Sequence, residues 1–431
     1  MNITHPEVEE FIDMRKSTGG DPHRRNTNLH HGVVLTEDFL YAVSHDLSWD
    51  LIDPHTDIVI KTMKARDLWF KILEARAETG EPFLVNYDNM NDALPDQMKA
   101  KGLKVLHSNL CTEITLPVNE NRTAVCCLSS VNVEKFDEWR TNVRFIGDLI
   151  TMLDNVLDNF ISEASHSPGM RKAVYSAVQE RSIGLGAMGF HSYLQSIGVP
   201  IESAVAKGIN IRVFSHIKND AVETSRRLAN TRGEAPDMAG TGLRNAHLLA
   251  VAPNASSSVI CGGTSPSIEP FRANVYTQKG VVGSSQVRNK YLEKLIHERL
   301  DGDYKAIEAV WALIYEDEGS VANISILTDY EKDIFKTFPE IDQMALVELA
   351  IDRQEYICQG QSLNLSFITP PSDAPQETHD RFMQYVSDVH FRAIRDLKTI
   401  YYYRGREATK VENVDMKIPQ RKDSDCFFCE G

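Results

Sequence analysis

Residues 181–194 read RSIGLGAMGFHSYL, and the six-residue core GLGAMG (184–189) decides which kind of fold is in question. It satisfies GxGxxG, the spacing of a dinucleotide-binding turn. That fingerprint needs a strand in front of it and an acidic residue about 20 positions later, within a βαβ unit. The residues in front, VYSAVQERSI (174–183), are polar and helix-like, without a strand-forming run. The small residues therefore read as close helix packing, and a Rossmann fold is set aside.

Working outward, Ala65, Leu68, Trp69, Ile72 and Leu73 recur at helical spacing ahead of Gly80, which predicts one long helix over 57–79. PFLVNY (82–87) follows as a strand. Helices are predicted over 140–163, 203–229, 304–316, 340–358 and 377–397, and strands over 113–117, 124–128, 247–252 and 398–403. Alternation of this kind means an α/β fold. No internal repeat or low-complexity segment interrupts it. From about Glu407 the apolar residues thin out and Lys, Asp, Glu and Pro419 dominate, so a flexible tail is expected.

The 431 residues are 42% apolar, enough for a sizeable core. A formal charge of −15, with the acids spread along the chain, argues against a broad phosphate-backbone surface, so no nucleic-acid partner is expected. Apolar runs such as HLLAVA (247–252) are too short to span a bilayer, and the N-terminus lacks the pattern of a signal peptide. The expected location is cytoplasmic. Seven cysteines in such a chain are expected to start as thiols.

Three constellations carry chemistry. In SNLCTEI (108–114), an extended backbone would set Asn109, Cys111 and Glu113 on one face and Leu110, Thr112 and Ile114 on the other. The three polar groups could then meet one substrate, or Cys111 could be a small buried hydrophobe. In VAPNASSSV (251–259), a small-residue loop rich in hydroxyls either binds an anion at a helix start or places Asn254 or a serine as an ordinary N-cap. DCFFCEG (425–431) ends in a CxxC pair. Zinc would need two further ligands that no nearby CxxC or HxxxH supplies, so a redox dithiol on a mobile arm is the better reading and no metal is expected.

NLCTEI (109–114), AVCCLSSVN (124–132), RSIGLGAMGFHSYL, PNASSS (253–258), KTIYYYRGR (398–406) and the terminal cysteine pair occur in the order found in the large catalytic subunit of class I ribonucleotide reductase. The resemblance covers essentially the whole chain. It implies the C-terminal half of a ten-stranded α/β barrel over 1–406, with a central finger loop carrying the thiyl cysteine, and a flexible redox tail over 407–431. Cys111 resembles the thiyl-radical position and Glu113 the base for the 3′-hydroxyl of a ribonucleoside diphosphate. Asn109 resembles the residue that aligns them, and Cys126 one member of the reducing dithiol. Cys127 is read as packing. Asn254, Ala255, Ser256 and Ser257 resemble the diphosphate cradle, Tyr401 and Tyr402 the stacked radical-transfer pair, and Cys426 and Cys429 the tail dithiol that re-reduces the site. STGGDPHRRNTNLHHGV (17–33) resembles a specificity loop, with His23, Arg24 and Arg25 as base contacts.

By the same resemblance this chain binds no cofactor of its own. The radical comes from a dimetal-tyrosyl small subunit, the electrons come from thioredoxin or glutaredoxin, and nucleotide effectors bind mainly to an N-terminal part. Adenosylcobalamin-dependent reductases share the barrel, but adjacent tyrosines point to a radical delivered by a protein. The N-terminal half of the barrel has no counterpart in this sequence, so a separate N-terminal large-subunit polypeptide is expected to complete an open sheet edge. The alternative is a non-catalytic truncated subunit that only binds the small subunit. A stand-alone oxidoreductase using Cys426 and Cys429 is disfavoured, because a thioredoxin-type CxxC opens a helix.

Overall fold

The computed structural model describes residues 1–17, 22–280 and 283–407. The tail pair Cys426 and Cys429 therefore lies outside the described residues. Among the described residues eleven strands form: β1 (Gly32–Leu35), β2 (Ser48–Ile52), β3 (Val59–Lys64), β4 (Phe83–Asn86), β5 (Leu128–Asn132), β6 (Gly184–Met188), β7 (Val275–Gly280), β8 (Gly283–Arg288), β9 (Leu365–Thr369), β10 (Thr399–Ile400) and β11 (Tyr403–Glu407).

Most of the strands join into one open ladder. Residues 1–3 run parallel to β1 through the Asn2–Val34 bridge, β1 runs parallel to β4, and β4 meets β10 antiparallel. Beyond the turn in direction, β11 runs parallel to β9, Gln361 bridges Val251, Leu249 bridges Leu185 on β6, and β6 runs parallel to β5. The backbone bonds Tyr401 N–H to Leu363 O (2.9 Å) and Leu365 N–H to Tyr402 O (3.0 Å) carry the pairing through the gap between β10 and β11. The expected half-barrel is thus a run of parallel rows from β5 to β11, continued across the antiparallel β10–β4 junction by β4, β1 and the N-terminus, which run parallel to one another. Among the described residues, no second strand pairs with the outer edge of β5.

Helices cover the ladder. Ala65–Thr79 buries Ala65, Leu68, Trp69, Ile72 and Leu73, as the spacing predicts, and stops at Gly80 with φ 83°. Phe145–Ala164, Ala204–Arg232, Tyr304–Glu316, Gln343–Gln354 and Gln376–Asp396 occupy the other predicted helical stretches. The front of the long helix predicted over 57–79 is instead β3, the second strand of the hairpin β2–β3. Its turn is set by the Asp53 carboxylate, which accepts N–H from His55 (2.8 Å) and Thr56 (3.1 Å). Val59, Ile60 and Thr62 are β-branched residues that pack poorly in a helix and well on a ladder. A satellite core around Val275, Leu292, Ile307 and Trp311 gathers β7 and the helices Lys290–Arg299 and Tyr304–Glu316.

The GLGAMG stretch also departs from its sequence reading. Its small residues form the buried strand β6, and the tight packing is strand against strand. A Cβ on Gly184 would lie 2.2 Å from the Leu128 side chain, and one on Gly186 would lie 2.6 Å from Ala250 O. The first glycines sit inside the strand, where a dinucleotide fingerprint would set them in the turn after it. Backbone cannot yield as a side-chain tip can. Gly186→Ala should therefore cost about 1–3 kcal/mol in urea denaturation, and an unchanged midpoint would contradict this packing.

Candidate active site at the tip of a finger loop

SNLCTEI belongs to the connection between the helix Asp96–Ala100 and β5. It is not extended. Thr112 N–H donates to Asn109 O (3.2 Å), and Thr112 itself takes φ 66°, a left-handed conformation that costs a residue with a Cβ about 1–3 kcal/mol. The Asn109 side-chain oxygen accepts the Ile114 N–H at 3.0 Å, closing the turn. Asn109, Cys111 and Glu113 are therefore brought together by a bend and not by strand alternation. Thr112 and Glu113 are buried, Cys111 is half-buried and Leu110 is exposed.

The loop is held by the segment after the helix Gln343–Gln354. Gly360 N–H donates to Glu113 O at 2.8 Å, and a Cβ on Gly360 would lie 2.5 Å from Thr112 O, so the two backbones touch where only glycine fits. Two residues on, the Ser362 hydroxyl donates to Cys111 O and stands 3.2 Å from Glu113 Oε2. Burial pushes the Glu113 carboxyl above its ordinary range, while hydrogen bonds from Asn109 and Ser362 partly offset that rise. Glu113 therefore holds a proton more strongly than a free carboxylate does.

On the other side, the Tyr401 hydroxyl lies 3.9 Å from Cys111 Sγ, at the long limit of an O–H···S contact. Tyr401 and Tyr402 have ring centroids 4.3 Å apart, and Phe83 packs 4.9 Å from each. Burial, then Cys111 and Tyr402, raise the Tyr401 phenol far above its ordinary value. The third tyrosine faces elsewhere: Tyr403 stacks on Phe367 at 4.9 Å and 21°. Geometry therefore separates Tyr401 and Tyr402 from Tyr403 in a run where sequence register alone is ambiguous.

Cys126 is exposed on one side, yet the wall behind it, Glu113 and Cys111 push its thiol up to about 12. Cys126 is therefore held as a neutral thiol near neutral pH. It borders a cleft of about 630 Å³ lined by Asn109, Ile114, Leu116, Arg122 and Ala124. Cys127 turns the other way into the core, its sulfur 3.6 Å from Leu153 O.

Asn254 precedes the short helix Ala255–Ile260 in the left-handed region at φ 53°. Its side chain does not cap the helix. Instead its oxygen accepts the Ser130 hydroxyl from β5 at 3.0 Å, tying the loop to the ladder. Ala255 is half-buried, whereas Ser256 and Ser257 are exposed in the first turn. Ser362 N–H bonds Val251 O at 2.9 Å, which links this loop's strand to the residue that grips Cys111. His23, Arg24 and Arg25 are exposed on a surface turn, with Arg24 paired to Glu10. Among the described residues no cluster of His, Cys, Asp and Glu has the makings of a metal site, and no helix is long and apolar enough to cross a membrane.

Sequence reasoning missed Ser362, Gly360 and Phe83. Gln359, Gln361, Ser362 and Asn364 are all buried, and so polar a run leading into β9 was the available signal.

The chain matches the ribonucleotide reductase barrel-domain family over residues 1–241 and 236–403. It is 41% identical over 489 residues to the ribonucleoside-diphosphate reductase large subunit of Invertebrate iridescent virus 3, covering 100% of this chain and 75% of that protein. Identity to the putative large subunit of Frog virus 3 is 46% over 436 residues, covering 100% of this chain and 74% of the relative. Among solved structures, the class Id ribonucleotide reductase alpha subunit of Actinobacillus ureae superposes with a TM-score of 0.78 at 34% identity, over 94% of this chain and 69% of that one. With its ladder, its finger loop and these similarities, the chain belongs to the ribonucleotide reductase large-subunit family.

Proposed function

We infer that this chain carries out thiyl-radical reduction of ribonucleoside diphosphates, with Cys111 as the radical site. The observation that carries the reading is the Tyr401 hydroxyl 3.9 Å from the Cys111 sulfur, with Tyr402 packed behind it. An oxidising equivalent from a radical-generating small subunit reaches Tyr402, passes to Tyr401, and leaves Cys111 as a thiyl when Tyr401 takes the thiol hydrogen. Cys111 then removes the 3′ hydrogen of the ribose. Glu113 takes the 3′-hydroxyl proton, and its raised proton affinity suits a base that works close to neutral pH. Asn109 and Ser362 orient that carboxylate.

Cys126, protonated and bordering the cleft, is one of the two thiols that supply the electrons. Its partner comes from a further polypeptide segment lying against the outer edge of β5 and the cleft. We assign that segment to a separate N-terminal large-subunit chain. Asn254, Ala255, Ser256 and Ser257 cradle the diphosphate, and His23, Arg24 and Arg25 read the base. Cys426 and Cys429, outside the described residues, return electrons from thioredoxin or glutaredoxin. The whole of 1–406 acts as the barrel part and 407–431 as the redox arm.

Cys111→Ser and Tyr401→Phe should each reduce deoxyribonucleotide formation to background while nucleotide binding persists, assayed with the small subunit and the N-terminal polypeptide present. Parental turnover in either variant would overturn the assignment. Glu113 yields a prediction about stability as well. An acid whose native pKa is raised stabilises the fold below its unfolded value, about 4.3, and that contribution is lost as pH rises through the native pKa. Glu113→Gln should therefore abolish turnover yet raise the urea midpoint at pH 7, the gain vanishing below about pH 4. A lower midpoint at pH 7 would contradict the account.

A further inference from the structure

One-electron oxidation makes a phenol strongly acidic, so a tyrosine that passes an electron needs somewhere for its proton to go. For Tyr401 the relay itself provides, since its hydroxyl interacts with Cys111 on one side and Tyr402 on the other. Tyr402 is the first station, and its oxidant lies on another subunit. Its proton has to leave sideways. What stands there is His30, with Nδ1 3.4 Å from the Tyr402 hydroxyl and 2.6 Å from Glu81 Oε1. A single ring nitrogen thus sits between the phenol and a carboxylate that is 1% exposed. Arg15 and the His31 N–H fix that carboxylate at 3.0 Å and 2.9 Å. The Arg404 guanidinium lies over the Tyr402 ring, 5.3 Å from its centroid, where it disfavours an oxidised phenol that keeps its proton.

A tie between two chain segments would explain Arg15 and His31 on Glu81. It does not explain why the imidazole nitrogen shares its reach with a phenol of the relay. We propose that His30 and Glu81 accept the phenolic proton of Tyr402 when it is oxidised, an assignment that rests on the reading of Tyr401 and Tyr402 as the radical relay. The electron passes to the protein-borne radical of the small subunit. With His30 as its Nε2–H tautomer, the Tyr402 O–H bond breaks as an N–H bond forms at the unprotonated Nδ1, and that hydrogen then moves from Nδ1 to Glu81 Oε1. Imidazole stays neutral, the carboxylate becomes a carboxylic acid, and Tyr402 is left a neutral radical. On the return journey the same hydrogen runs back.

The test uses the full chain with its small subunit, the N-terminal polypeptide and a ribonucleoside diphosphate. His30→Gln should lower turnover about 10²-fold, the usual weight of a positioned base. Replacing Tyr402 in that variant by a fluorinated tyrosine whose phenol is already ionised at the assay pH should restore most of the loss, because no proton remains to be moved. A purely structural role for His30 would not be rescued in this way. Parental turnover in His30→Gln, or a loss that the fluorinated residue leaves untouched, overturns the proposal. Should His30→Gln fail to fold, the parent protein decides: Tyr402 oxidation should slow in deuterated water and lose that effect with the fluorinated residue, whereas no solvent effect in the parent rules the acceptor out. Tyr402→Phe separates the two readings. Full activity there removes the relay itself, whereas an inactive Tyr402→Phe beside a fully active His30→Gln removes only the proton acceptor.

Discussion

Everything at this site depends on how closely two backbones approach at Gly360. The segment 359–363 bonds Glu113 O through the Gly360 N–H at 2.8 Å and receives the Tyr401 N–H on Leu363 O at 2.9 Å. One short segment therefore sets both the height of the finger loop and the register of the tyrosines. The 3.9 Å gap between Tyr401 and Cys111 is the difference between those two placements. A side chain at 360 would collide with Thr112 O, lift the loop and widen the gap. Because Ser362 also bonds Val251 O, the loop carrying Asn254 is indexed to the same segment.

The electrostatics of the cluster follow from the same enclosure. Burial disfavours charge, so it raises the Tyr401 phenol, the Cys126 thiol and the Glu113 carboxyl together. Phenol and thiol are consequently held in their protonated, neutral forms, the state that the proposed hydrogen-atom transfer requires. The carboxyl is the exception, since it also receives hydrogen bonds that favour its ionised form. A single buried setting thus holds neutral phenol and thiol together with a carboxyl of raised proton affinity, brought from three distant parts of the chain.

Much of this was legible in the sequence. The helix Tyr304–Glu316 spans the predicted residues, Gly80 ends its helix as expected, and PFLVNY supplies β4. The failures have separate physical causes. Helical spacing in 65–73 does not continue back into Val59–Lys64, where the β-branched run favours a hairpin. GLGAMG follows a helix and carries no strand signal of its own, because β6 is formed by pairing with residues distant in sequence. SNLCTEI bends at a threonine, a residue that ordinarily gives no sign of a left-handed turn. Ser362 reaches Cys111 across 251 positions and His30 reaches Tyr402 across 372, separations that no local motif encodes.

The most direct measurement places a tyrosine analogue that is easier to oxidise at position 401 and follows the assembled enzyme by electron paramagnetic resonance after adding the small subunit and a ribonucleoside diphosphate. The account predicts a radical trapped on residue 401, absent when the small subunit is left out. A silent spectrum from folded, fully assembled enzyme would mean that no unpaired electron passes this way to sulfur 111.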